Sequence, residues 1–119
     1  MGGAFALSAA GTFPDRIAAG SLHGARLATD QLNSPPLLAS KMRAGIFVGI
    51  AGIDPNFTPV EKQRLESAFP SWGVEHTVEV YPDVKHGLAA NDTSVYDCRA
   101  SERHWQKILR LCAGHLSLP

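Results

Sequence analysis

Two stretches of this 119-residue chain carry side chains whose type and position could do chemistry. Ala51-Gly52-Ile53-Asp54-Pro55 and Tyr81-Pro82-Asp83-Val84-Lys85-His86-Gly87-Leu88 each follow an apolar, strand-like run. Each therefore presents one ionisable residue, Asp54 or His86, just past the carboxyl end of a strand. In open α/β sheets that rim is where ligands bind. An acid and an imidazole delivered to one rim suit two members of a hydrolytic triad. His86 would be the general base, and Asp54 would fix its tautomer and stabilise the imidazolium. The plainer readings are an Asx-turn for Asp54, common at Asp-Pro, and a solvated loop position for His86.

The elements that must position this pair can be taken in chain order. Gly3 to Ala10 is rich in small residues and predicts a short helix, with Gly11 suited to the left-handed position past its end. Ile17 to Leu22 predicts a short buried strand that ends at His23-Gly24. Arg26 to Ser40 carries loop signals, culminating in Asn33-Ser34-Pro35-Pro36, with a helical turn near Leu37-Leu38. Gly45 to Ala51 is apolar throughout, as a parallel strand covered on both faces should be.

Thr58-Pro59-Val60-Glu61 predicts a capped helix start, with proline in the first turn and glutamate able to reach back. Leu65, Ala68, Phe69 and Trp72 then form one apolar stripe, and Gly73 ends the helix. Glu75 to Tyr81 alternates like a strand near a sheet edge. A last helix is expected from about Ser101 to His115, with Trp105, Ile108, Leu109, Cys112 and Leu116 inward. The aromatic residues Phe69, Trp72 and Trp105 are expected in the core. Strands alternating with helices predict an α/β fold of three parallel strands with flanking helices. So narrow a sheet reads as half of a larger one.

Composition narrows the partners. A 45% hydrophobic content argues against a disordered chain. Lys+Arg and Asp+Glu balance at 11 each with no basic block, which argues against nucleic acid or an anionic membrane surface. No apolar run reaches the roughly 20 residues of a membrane helix, and the start does not read as a signal peptide. Cys98 and Cys112 lack metal or redox spacing and are expected as reduced, packed thiols in a cytoplasmic protein. His23, His76, His104 and His115 form no metal-type grouping, and no cofactor is implied. His104 and His115 are expected on a helix surface. Ser21, Ser8 and Cys98 are weak candidates for a nucleophile. Ser21 sits in a strand without the elbow's glycine spacing, Ser8 is mid-helix, and nothing near Cys98 lowers its pKa in an obvious way.

Met1-Gly2-Gly3-Ala4-Phe5-Ala6-Leu7 resembles the segment just after the nucleophile of the dienelactone hydrolase family, where the elbow reads Gly-x-Cys-(Met or Leu)-Gly-Gly. Leu22-His23-Gly24, Ala51-Gly52-Ile53-Asp54, Tyr81-Pro82 with Lys85-His86-Gly87, and Val95-Tyr96-Asp97 with Arg103-His104-Trp105 resemble later motifs of that family, in the same order. The resemblance implies that residues 1–119 form the C-terminal half of an α/β-hydrolase domain, a partial α/β-hydrolase fold. It places the nucleophile, a cysteine or serine, immediately ahead of Met1, and makes the Met1 backbone N–H part of the oxyanion hole. It implies hydrolysis of a small-molecule ester or lactone, with Asp54 and His86 catalytic. The family's carboxylate-binding arginine falls at Ala90 and its usual phenylalanine at Leu88, which weakens a dienelactone as substrate. Without the nucleophile the chain alone should be inactive. The alternative is a non-catalytic fragment that dimerises, or binds a partner, through the exposed edge of its first strand.

Overall fold

The computed structural model describes residues 1–13, 15 and 18–116. Helix α1 (Gly2–Thr12) leads into strand β1 (Ala18–Leu22), and a 3₁₀ segment (Pro35–Lys41) precedes strand β2 (Gly45–Ile53). Helix α2 (Pro59–Ser71), strand β3 (His76–Lys85) and helix α3 (Cys98–His115) complete the chain. The three strands form one parallel sheet, as expected, with the order β1-β2-β3 and β3 at an edge. Ile17, the predicted first residue of β1, lies outside the described residues.

β2 is buried from Gly45 to Ala51, yet its two faces differ. Ile46, Val48 and Ile50 point into the larger core, with Leu7 of α1, Met42 beyond the 3₁₀ segment, and Leu65 and Phe69 of α2. The other face alternates glycine with larger groups, and α3 lies against it. A methyl group added at Gly20 would meet Ile108 at 2.2 Å, one at Gly45 would meet His115 at 2.5 Å, and one at Gly49 would meet His104 at 2.3 Å. The missing side chains let α3 sit close to the sheet and insert its own side chains between the strands' Cα positions. A smaller apolar cluster of Ala51, Tyr81, Leu88 and Ala100 closes this side.

That packing sets the rotation of α3. Its buried residues are Ala100, Ser101 and His104, whereas Trp105, Leu109 and Leu116 are exposed. The inward face is therefore turned by about one residue from the predicted stripe, or roughly 100° at 3.6 residues per turn. His104, expected on the surface, is fully buried, and the helix begins at Cys98 because Asp97 accepts a hydrogen bond from the Ala100 amide at 2.8 Å. Cys98 is exposed and unpaired, against the expectation of a packed thiol. Trp72 also lies in solvent, so only Phe69 of the three predicted core aromatics is buried. Gly11 does not end α1; it lies inside the helix where Leu38 packs, and Phe13 caps the end.

The start of α2 follows the sequence closely. Thr58 Oγ1 accepts from the Glu61 amide at 3.3 Å, and Glu61 Oε2 accepts from the Thr58 amide at 3.0 Å. Glu61 Oε1 also accepts from the Ala28 amide, tying the cap to the long loop. Thr58→Ala should cost about 1 kcal/mol of stability, read as a lower urea midpoint, because one orphan amide of the first turn loses its acceptor.

Candidate active site

All three strands point the same way, so their carboxyl ends share one rim, and each ends on a titratable residue: His23 after β1, Asp54 after β2 and His86 after β3. Asp54 and His86 meet because of an irregularity. β2 pairs with β3 through Ala51↔Tyr81 and resumes at Ile53↔Lys85, so β3 takes up two extra residues between these rungs. An uninterrupted register would set Asp54 beside Val84. The bulge instead puts it next to His86. Gly52 makes room for the displaced strand, since a methyl group there would meet the Pro82 carbonyl oxygen at 2.4 Å.

The result is a 2.7 Å hydrogen bond between His86 Nδ1 and Asp54 Oδ2. The Asp54 side chain is 1% exposed, while that of His86 is 44% exposed. Burial pushes the Asp54 carboxyl up, but the Asn56 amide and the hydrogen bond and charge of His86 together outweigh it and hold the pKa below its ordinary value. An ionised carboxylate only accepts, so Nδ1 of His86 carries the proton in this hydrogen bond, which leaves Nε2 as the acceptor in the neutral imidazole. The Asn56 amide donates to Asp54 Oδ1 at 2.8 Å. Asp54 is thus an Asx-turn residue and a partner of the histidine at once, one oxygen for each.

The loop that carries His86 is anchored on α3. The Asp97 amide donates to the Leu88 carbonyl at 3.0 Å, and Ser101 Oγ donates to the Ala89 carbonyl at 3.3 Å. Gly87 adopts φ 92, a left-handed conformation that glycine reaches without strain. Leu88 is buried in the smaller cluster, and Ala90 offers no group to hold a carboxylate.

Met1 caps α1 and is largely exposed. It borders a cavity of about 390 Å³ together with Phe5, Arg26 and Gln31. Of the weak nucleophile candidates, Ser21 is buried, with its oxygen enclosed between Gly3 and Gly24. Ser8 lies within α1, and Cys98 opens α3.

Sequence reasoning missed the residues that flank the pair. His23 lies 5.0 Å from His86, ring centre to ring centre, and His104 lies 6.4 Å from His23 and 4.4 Å from the Tyr81 ring. The signal for His23 was in the chain, since it closes its strand just as Asp54 and His86 close theirs. Burial, then the charge of His23, lower the His104 pKa from 6.5 to about 4 against a weaker pull from Glu79. Burial also pushes the Tyr81 hydroxyl up to about 12, with Glu79 adding to the rise and Arg103 opposing it.

The His104 shift makes a stability prediction. Its folded pKa lies below its unfolded one, so the unfolded chain binds the proton first. The contribution is complete above pH 6.5 and is lost as pH falls toward 4. Between pH 7 and pH 4.5 the loss should be on the order of 2 kcal/mol. His104→Leu removes two buried ring nitrogens that have no hydrogen-bond partner among the described residues, and should flatten that decline in urea titrations run at both pH values.

Known proteins share this arrangement of elements. A provisionally named dienelactone hydrolase of Klebsiella pneumoniae subsp. pneumoniae superposes with a TM-score of 0.81 at 21% identity, covering 91% of this chain and 46% of that one. A dienelactone hydrolase-like promiscuous phosphotriesterase from metagenomic libraries superposes with a TM-score of 0.79 at 19% identity, covering 95% of this chain and 48% of that one. A Synechocystis sp. protein provisionally named carboxymethylenebutenolidase is 24% identical over 78 residues, 65% of this chain and 32% of that protein. The chain thus spans about a third of this curated relative and just under half of each of these solved structures. The family model for dienelactone hydrolases matches residues 1–116, and the chain belongs to the dienelactone hydrolase family.

Proposed function

We propose that Asp54 and His86 are the acid and base of an acyl-transfer triad that hydrolyses small-molecule esters or lactones. The 2.7 Å Nδ1–Oδ2 hydrogen bond at the ends of adjacent parallel strands carries this reading. The nucleophile, a cysteine or serine, comes from outside these 119 residues and adjoins Met1, so that residues 1–119 act as the C-terminal half of the catalytic domain. His86 Nε2 takes the nucleophile's proton as its sulfur or oxygen attacks the carbonyl carbon. The Met1 backbone N–H helps hold the oxyanion. The tetrahedral intermediate collapses, and His86 returns the proton to the leaving alkoxide. Water, deprotonated by His86, then attacks the acyl carbon, and the bond to the nucleophile breaks as His86 returns the proton to it, releasing the carboxylic acid. Ala90, in place of a carboxylate-binding group, favours esters without an acidic tail. The exposed, unpaired Cys98 suits a reducing compartment such as the cytoplasm.

The experiment compares p-nitrophenyl acetate hydrolysis by the 119-residue chain alone with hydrolysis by the same chain joined to a segment ending in Gly-x-Cys. Turnover only in the joined protein is expected. Turnover by the chain alone that survives His86→Ala would overturn the reading.

One observation favours a second reading, a partner-binding module. The outer edge of β1 has no strand partner among the described residues, and its sequence, Ala18-Ala19-Gly20-Ser21-Leu22, has neither charge nor proline. β3, by contrast, carries Glu79, Pro82 and Lys85, residues that discourage edge pairing. A second copy joined through β1 would make the chain a dimer in light scattering, and a monodisperse monomer would exclude that assembly.

A further inference from the structure

We propose that His23 is a positioning residue of the same site, a second imidazole whose ring packs edge-to-face on His86 and holds it in line with Asp54. This rests on the acid–base reading of Asp54 and His86, which it deepens. A single hydrogen bond at Nδ1 leaves the His86 ring free to swing, and nearly half of that side chain is in solvent. The His23 ring supplies the missing wall, with centroids 5.0 Å apart and planes at 74°.

His23 is itself firmly held. Its backbone is left-handed, with φ 42, and its amide donates to the Gly49 carbonyl at 2.8 Å. A non-glycine residue in this region is uncommon, and such conformations gather where a site requires them. Behind it stands His104, whose ring fills the slot over Gly49 between Phe47 and Tyr81. His104, His23 and His86 thus form a row of rings from the sheet's interior to its rim, and only the last is bonded to the carboxylate.

The surroundings suit a neutral support. Burial and the charge of His86 lower the pKa of His23, while a hydrogen bond with its own backbone and the charge of Asp54 oppose them. A neutral His23 does not compete for the carboxylate of Asp54, and it does not repel His86 when that ring takes up a proton.

The test is an NMR measurement on the ¹⁵N-labelled 119-residue chain, reading the His86 tautomer and its downfield Nδ1 proton. His23→Asn keeps the left-handed backbone accessible but removes the ring, and His23→Phe keeps the ring but removes its nitrogens. The expected result is loss of the downfield proton and mixed tautomers in His23→Asn, with wild-type behaviour in His23→Phe. An unchanged His86 in His23→Asn overturns the proposal, as does loss of the signal in both variants. If His23→Asn does not fold, His23→Gly serves the same purpose, since glycine adopts this φ most readily. Asp54→Asn is the separate control. If it leaves the His86 tautomer unchanged, the acid–base reading itself fails, whatever His23 does.

Discussion

Replacing His86 with alanine, in the chain joined to a segment ending in Gly-x-Cys, is expected to lower kcat for ester hydrolysis by roughly 10⁴- to 10⁶-fold while leaving KM within a few-fold. As the proposed base, the imidazole would act on protons that move only in the transition state, so its loss should leave substrate binding largely intact. Asp54→Asn should cost about 10⁴-fold. The amide can present its NH₂ to Nδ1 and favour the wrong tautomer, leaving Nε2 protonated and unable to act as a base. The two losses should not add, because either one disables the same proton transfer. Steady-state kinetics on the single and double variants check this. Retention of more than a tenth of the activity in His86→Ala would rule out its role as base.

The largest expected effect on stability is at Phe69. Its side chain is fully buried in the larger core, and its ring lies 5.3 Å from that of His76. Its carbonyl accepts from the Val74 amide at 2.9 Å, so the same residue anchors α2 and shapes the turn into β3. Phe69→Ala should cost about 3–5 kcal/mol, the sum of lost apolar transfer and an unfilled cavity. Small domains have a total stability of about 5–15 kcal/mol, so the variant should sit near its unfolding midpoint at moderate urea concentrations. Circular dichroism during urea titration reads this directly. A shift equivalent to less than about 1.5 kcal/mol would mean that α2 collapses onto the gap.

The parts of this fold that were legible in the sequence are those governed by neighbours within a few residues. The capping box at Thr58 and Glu61, the left-handed Gly73 and the apolar run of β2 needed no knowledge of distant contacts. Asp54 and His86 were legible because each follows a strand in a parallel sheet, where direction alone fixes the end at which they emerge.

The rotation of α3 was not legible. Its own composition favours Trp105 and Leu109 as inward, but the slots that receive it are glycines of β1 and β2, more than fifty residues earlier in the chain. A glycine states only that space exists, not which side chain will enter it. His104 was hidden for that reason, and with it the support behind His23. The bulge in β3 was equally invisible, since Pro82 and Asp83 read as the start of a loop although the strand runs on to Lys85.

That extra pair of residues has a consequence for how the chain can tolerate length changes. Side chains alternate sides along a strand, so a count that changes by two returns the imidazole to the same side, whereas a change by one turns it away. Insertions and deletions between Tyr81 and Lys85 should therefore be accepted in even numbers and rejected in odd ones, a parity rule written into the backbone between the aromatic ring and the imidazole.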